Sequence, residues 1–130
     1  MAIDIYLRRM PIGSSDFSDS YYSLDDTAGD LAMSNLSLAR DEQKLLPFIK
    51  AAMEINPELK LWAVPWTGPS WLKDSDVYYC GSLSQDPKKR AAYALYLAKA
   101  AKAYRAAGLN LENVAIQNEP SHGTSVENPP

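Results

Sequence analysis

The 130-residue sequence holds a single cysteine, Cys80, and a single histidine, His122. A disulfide framework needs paired thiols and an ordinary zinc site needs several Cys and His ligands, so neither can be built within one chain. Basic excess is missing too: 13 Lys and Arg stand against 16 Asp and Glu, for a formal net charge of -3 and a pI near 5.1. Without a basic patch there is no electrostatic footprint for nucleic acid and none for an anionic membrane surface. No apolar run approaches the roughly 20 residues that span a bilayer. Met1 to Arg9 also lacks the apolar core and small-residue cleavage site of a secretory signal. No metal and no cofactor are expected.

What is present is apolar material for one globular unit, 46% of the residues, in a chain of single-domain length. Ile3 to Met10 alternates apolar with polar residues and predicts a strand ended by Pro11 and Gly13. Ser14 to Ser37 is a long polar stretch with Phe17, Tyr21 and Tyr22 interleaved, too aromatic for a disordered linker, and loops of that size are usually functional. Asp41 and Glu42 suit a first helical turn, and Leu45, Phe48, Ile49, Ala52 and Met53 form an apolar stripe, with Pro47 either kinking that helix or marking its start. Leu59 to Val64 reads as a strand buried on both faces, with Trp62 in the core, and "PWTGPSWLK" is its exit loop. Pro87 to Ala107 is an Ala-rich helix with Tyr93, Leu97, Ala101 and Tyr104 on one face, stopped by Gly108. Val114 to Gln117 is a further buried strand that ends at Asn118 and Glu119.

Strand, loop, helix, strand, loop, helix, strand is the order of an α/β fold with a parallel sheet and right-handed crossovers. In such folds ligands sit at the carboxyl ends of the strands. Those ends carry Arg9 and Asp16, then Trp66, then Asn118 and Glu119. A carboxylate, a carboxamide, an indole, a cation and an acidic loop residue together suit a neutral polyhydroxy ligand, and sugars fit that description. The carboxyl group can protonate a glycosidic oxygen, the amide can bind a ring hydroxyl, and the indole can stack on an apolar sugar face.

Quoted in order, "RMPIGSSDFS", "YSLDD", "LPFIKAA", "LKLWAVPWTGPSWLK", "GSL" and "VAIQNEP" resemble the successive blocks of glycoside hydrolase family 30. That family contains glucosylceramidases and endo-β-1,6-glucanases and uses a retaining mechanism. The resemblance implies a fragment of a (β/α)8 TIM barrel, about strands 2 to 4 with their connecting helices. It assigns residues 1–130 to a partial catalytic domain without the first strand, the later strands or the attached β-domain. It implies Glu119 as the general acid/base and Asn118 as the amide on the sugar 2-hydroxyl. Trp66 matches the aromatic of the Pro-Trp block, and Arg9 and Asp16 the supporting and sugar-binding residues of the first block. The family's nucleophile is a second glutamate on a later strand, and no Glu here takes that role. The implied substrate is a β-glucoside, as glycolipid or β-glucan, and the implied location is extracellular or lysosome-like. The chain is expected to be a truncated or partial reading frame and, alone, inactive.

Plainer roles stand beside these. Glu119 can cap or ion-pair after a strand, and Arg9 can pair with Glu119 or Asp16. Trp71 reads as a structural anchor, and His122 as a solvent or supporting residue. A non-catalytic fragment or a carbohydrate-binding remnant is the alternative to an enzyme.

Overall fold

The computed structural model describes residues 6–121; His122 and the first residues of the expected first strand lie outside them. Three strands, β1 (Leu7–Ile12), β2 (Lys60–Pro65) and β3 (Leu111–Val114), form a parallel sheet in the order β1-β2-β3. Helix α1 (Leu45–Ile55) connects the first two strands and α2 (Pro87–Ala106) the second two. These are the crossovers that parallel pairing demands.

The first strand runs two residues past its expected end. Pro11 sits within it, near its carboxyl end and paired opposite Val64, and among the described residues β1 is bonded on one side only, where a missing N–H is tolerated. In β2, alternation puts Leu61 and Ala63, both 0% exposed, on the face that the helices cover. Burial on both faces is not observed: Trp62 points the other way and is 41% exposed, so it is not core. That face is closed only toward the carboxyl end, where Val64 is buried, while Leu7 lies half open.

Strand β3 starts and ends three residues earlier than the sequence reading places it. One extra residue, Glu112, bulges between the pairs Leu61–Leu111 and Trp62–Asn113. Beyond Val114 the backbone still follows β2 through Ala115 N–H to Ala63 C=O (2.9 Å) and Asn118 N–H to Pro65 C=O (2.8 Å), but Ile116 is exposed and no regular ladder forms.

Helix α1 begins at Leu45, after a 3-10 turn at Asp41–Gln43, so Pro47 falls in its first turn, where no intrahelical N–H is required. Its buried face is Leu46 and Ile49, flanked by Leu45, Ala52 and Met53. Phe48 lies outside this stripe and is exposed, because its angular position on the helix is on the solvent side of Ile49. Helix α2 is capped by Asp86, whose carboxylate accepts from the Lys88 N–H at 2.8 Å, with Pro87 in its first turn. Gly108, at φ +91°, then takes the chain out of it.

The tyrosines of α2 serve as core and as anchors for the long loop. Tyr93, Tyr96 and Tyr104 are buried. The Tyr96 hydroxyl accepts the Leu24 N–H at 3.2 Å, and the Tyr104 hydroxyl donates to Asp41 at 2.5 Å. Asp41 also accepts from Tyr22 at 2.6 Å, and Lys99 donates to the carbonyls of Ala32 and Met33. The polar stretch between β1 and α1 is therefore ordered by bonds to a helix far along the chain, which its lack of periodicity could not indicate.

Candidate active site

The carboxyl ends of the strands open into one cavity of about 1100 Å³. Asp16, Trp66, Asn118 and Glu119 all line it. Trp66 follows β2 directly and is half-buried. Its carbonyl accepts from Gln117 Nε2 at 2.6 Å, which ties the exit of β2 to the segment after β3. Tyr93 adds a second tie, its hydroxyl donating to Ile116 C=O at 2.8 Å. Between them these bonds and the Asn118 N–H fix the backbone that presents Asn118 and Glu119.

Glu119 itself stands at φ +43°. A left-handed conformation in a non-glycine residue costs on the order of 1–3 kcal/mol and clusters at functional positions. Pro120 follows it, and a residue before proline is normally held extended. The bonds at Ile116, Gln117 and Asn118 hold the chain up to this point, and Asn118 and Glu119 both line the cavity.

Arg9 is not part of the cavity wall. Its guanidinium carbon lies 4.8 Å from the centre of the Trp66 ring, and among the described residues it forms no ion pair with Glu119 or Asp16. Asp16 is exposed on the loop after β1. Trp71 is buried, with its indole N–H donating to Asp25 C=O at 3.0 Å, the structural role expected of it.

Several cavity residues went unread in the sequence. Lys73 donates to Thr67 Oγ1 at 3.1 Å and to Tyr78 C=O at 2.8 Å, and burial pushes its amine below the usual lysine range. Tyr21, Tyr78 and Tyr79 line the same wall. The tandem tyrosines in "DVYYCG" were the available signal, since two large rings in a polar loop need a surface to pack on. Among the described residues no group of His, Cys, Asp and Glu is arranged to hold a metal ion, and no helix is long and apolar enough to cross a membrane.

The glycosyl hydrolase family 30 TIM-barrel domain profile matches residues 1–129. The chain is 35% identical over 130 residues to a putative glucosylceramidase 1 of Caenorhabditis elegans, covering 97% of this chain and 25% of that protein. It is 36% identical to the lysosomal acid glucosylceramidase of Mus musculus (93% and 24%) and 30% identical to an endo-1,6-β-D-glucanase of Neurospora crassa (88% and 25%). Among solved structures it superposes on SrfJ from Salmonella typhimurium with a TM-score of 0.79 and 34% identity, covering 95% of this chain and 29% of that one. An endo-β1,6-glucanase gives 0.80 and 35%, covering 89% and 26%. The chain thus spans about a quarter of the length of the curated relatives it matches.

Proposed function

The chain belongs to glycosyl hydrolase family 30, and from that premise we propose that it supplies the acid/base part of a retaining β-glycosidase acting on β-glucosides. Its three strands are read as barrel strands two to four. The observation that carries this reading is the convergence of Glu119, Asn118, Trp66 and Asp16 on one cavity at the carboxyl ends of a parallel sheet.

In the first step the Glu119 carboxyl group gives its proton to the glycosidic oxygen as that bond breaks, while a second carboxylate attacks the anomeric carbon. The leaving group departs as an alcohol and a glycosyl-enzyme ester remains. Glu119, now a carboxylate, takes a proton from water, and the water oxygen replaces the ester. Asn118 binds the 2-hydroxyl and Trp66 faces the sugar ring, with Arg9 behind the indole fixing its plane. The attacking carboxylate is assigned to a barrel strand other than these three, about 5–5.5 Å from Glu119, the separation a retaining mechanism uses. Likeness to both glucosylceramidases and endo-1,6-β-glucanases supports a glucoside substrate, either glycolipid or β-glucan, and a lysosome-like or extracellular site of action.

The test uses a barrel completed with the remaining strands of the Neurospora crassa relative. Glu119→Gln should slow glucosides with poor leaving groups by about 10²- to 10⁴-fold, the usual worth of general acid–base catalysis, and activated aryl glucosides far less. Equal losses on both would remove Glu119 from the acid role.

A further inference from the structure

We propose that Tyr21, Tyr78 and Tyr79 form a second sugar subsite in the cavity that holds Trp66, so that the ligand is a chain of at least two β-linked sugars. The proposal rests on the sugar-binding reading of Trp66 and Asn118 and adds to it the class of substrate.

The rings come from two segments far apart in sequence, Tyr21 from one and the adjacent Tyr78 and Tyr79 from the other, and line the same cavity. Tyr21, from the loop after β1, lies parallel to Tyr78 within 9°, with ring centroids 6.0 Å apart. Tyr79 stands 5.8 Å from Tyr21 at a tilt of 42°. Nothing in the core requires this cluster: Tyr21 is 49% exposed and lines the open cavity. Tyr21, half exposed and backed by the half-buried Tyr78 and Tyr79, offers an aromatic surface that can cover one apolar face of a ligand.

The platform is also held in place before any ligand arrives. The Tyr78 hydroxyl donates to Asp26 at 2.6 Å, and its carbonyl accepts from Lys73. The loop behind it is closed by Ser75 Oγ donating to Cys80 C=O at 2.9 Å and by the Ser82 N–H donating to Asp74 at 2.8 Å. Rings fixed this way lose little freedom on binding, which favours affinity.

The surroundings select a neutral polyhydroxy ligand over a lipid chain. Ser15, Ser18 and Ser82 share the wall with the rings, and an acyl chain laid there would strip water from hydroxyls and return no hydrogen bonds. The charges beside the rings are engaged within the protein, while Asp16 and Glu119 stand elsewhere in the cavity lining. Asp19 pairs with Lys44 and Arg40, and Asp26 accepts from Tyr78 and Ser23. A sugar ring, apolar on its faces and hydroxylated at its edge, matches that arrangement.

The experiment measures binding of glucose, gentiobiose (two β-1,6-linked glucoses) and octyl β-D-glucoside to the 130-residue chain by calorimetry. Gentiobiose should bind about tenfold more tightly than glucose, and octyl glucoside no more tightly than glucose. Tyr21→Leu should erase the gentiobiose advantage with an unchanged thermal melt, which excludes a folding defect. Tyr21→Phe, which keeps the ring, should retain the advantage. Equal affinity for glucose and gentiobiose in the unaltered chain would overturn the subsite while leaving the Trp66 site standing. An advantage for octyl glucoside that Tyr21→Leu removes would overturn it in favour of an apolar aglycone. Failure of all three to bind, or binding indifferent to Trp66→Ala, would bring down the sugar-site reading itself and this subsite with it.

Discussion

The guanidinium of Arg9 lies over the indole of Trp66, 4.8 Å from the ring centre, and joins the first strand to the exit of the second. Such a contact is worth about 0.5–1 kcal/mol where water has access, enough to bias the plane of a half-buried ring. Trp71, five residues on, is buried and hydrogen-bonded to Asp25 C=O.

Two tryptophans of one loop should therefore fail differently. Trp66→Ala should weaken glucoside binding with little change in stability, and Arg9→Ala should weaken it less. Trp71→Ala should cost about 3–5 kcal/mol of stability, as large-to-small changes in a core do. Calorimetry and thermal melts on the same three proteins decide it, and the reverse pattern would mean that the two roles have been exchanged.

Gly68 and Tyr93 control the segment that carries Glu119. A Cβ on Gly68 would meet Tyr93 Cε2 at 2.8 Å, and the Tyr93 hydroxyl holds Ile116 C=O. Gly68→Ala should push the ring aside at a cost of about 1–3 kcal/mol, the usual penalty of overpacking. Tyr93→Phe should lose about 1 kcal/mol, one hydrogen bond. Both should speed amide exchange at Asn118, whose N–H is bonded to Pro65 C=O. Exchange unchanged in both variants would show that the tyrosine does not hold this segment.

Much of this was legible in the sequence because periodicity and punctuation are local. The Pro87 and Gly108 boundaries of α2, the strand Leu59–Val64 to within a residue, and the gathering of Asp16, Trp66, Asn118 and Glu119 at one end of the sheet all follow from patterns a few residues long. Burial of Trp62 was misread because a short apolar run looks the same whether one face or two are covered, and only neighbouring elements decide. The last strand was set too late because "VAIQ" is apolar enough to pair, yet Ile116 gives its carbonyl to Tyr93 instead of to the ladder. The aromatic wall of Tyr21, Tyr78 and Tyr79 depends on tertiary contacts that no window of sequence contains.

Asp41 gives the fold a pH dependence whose sign can be stated. Burial is the leading influence and raises its carboxyl pKa above 3.8, against the opposing effect of the Tyr104 and Tyr22 hydroxyls. A raised value in the folded state means that folding favours the protonated form, so this contribution is complete below the unfolded value and is lost as pH rises through the folded one. Relative to the unaltered protein, Asp41→Asn should therefore show its largest stability deficit near pH 4 and below, shrinking at higher pH. Denaturant midpoints across pH 3.5 to 7.5 would measure it. A deficit that grows with pH would show that hydrogen bonds to the ionised carboxylate outweigh its burial.

In the chain by itself, one face of the sheet packs against helices, while the other leaves Trp62 and Leu7 open. A hydrophobic dye should bind that open face, and Trp62→Thr should cut the dye signal without lowering the melting temperature appreciably, because Trp62 is 41% exposed and outside the core cluster. The same 130 residues should bind glucosides and yet not turn over aryl β-glucosides, since a retaining mechanism requires a second carboxylate to form the glycosyl-enzyme ester. Glu112, the glutamate within β3, is occupied by Lys60 at 2.8 Å and lies near the start of that strand, away from the carboxyl end beyond which Glu119 stands. Turnover by the purified chain, abolished by Glu119→Gln, would contradict the assignment of the nucleophile to another strand. It would direct the search to Asp16, the carboxylate on the first loop of the same cavity.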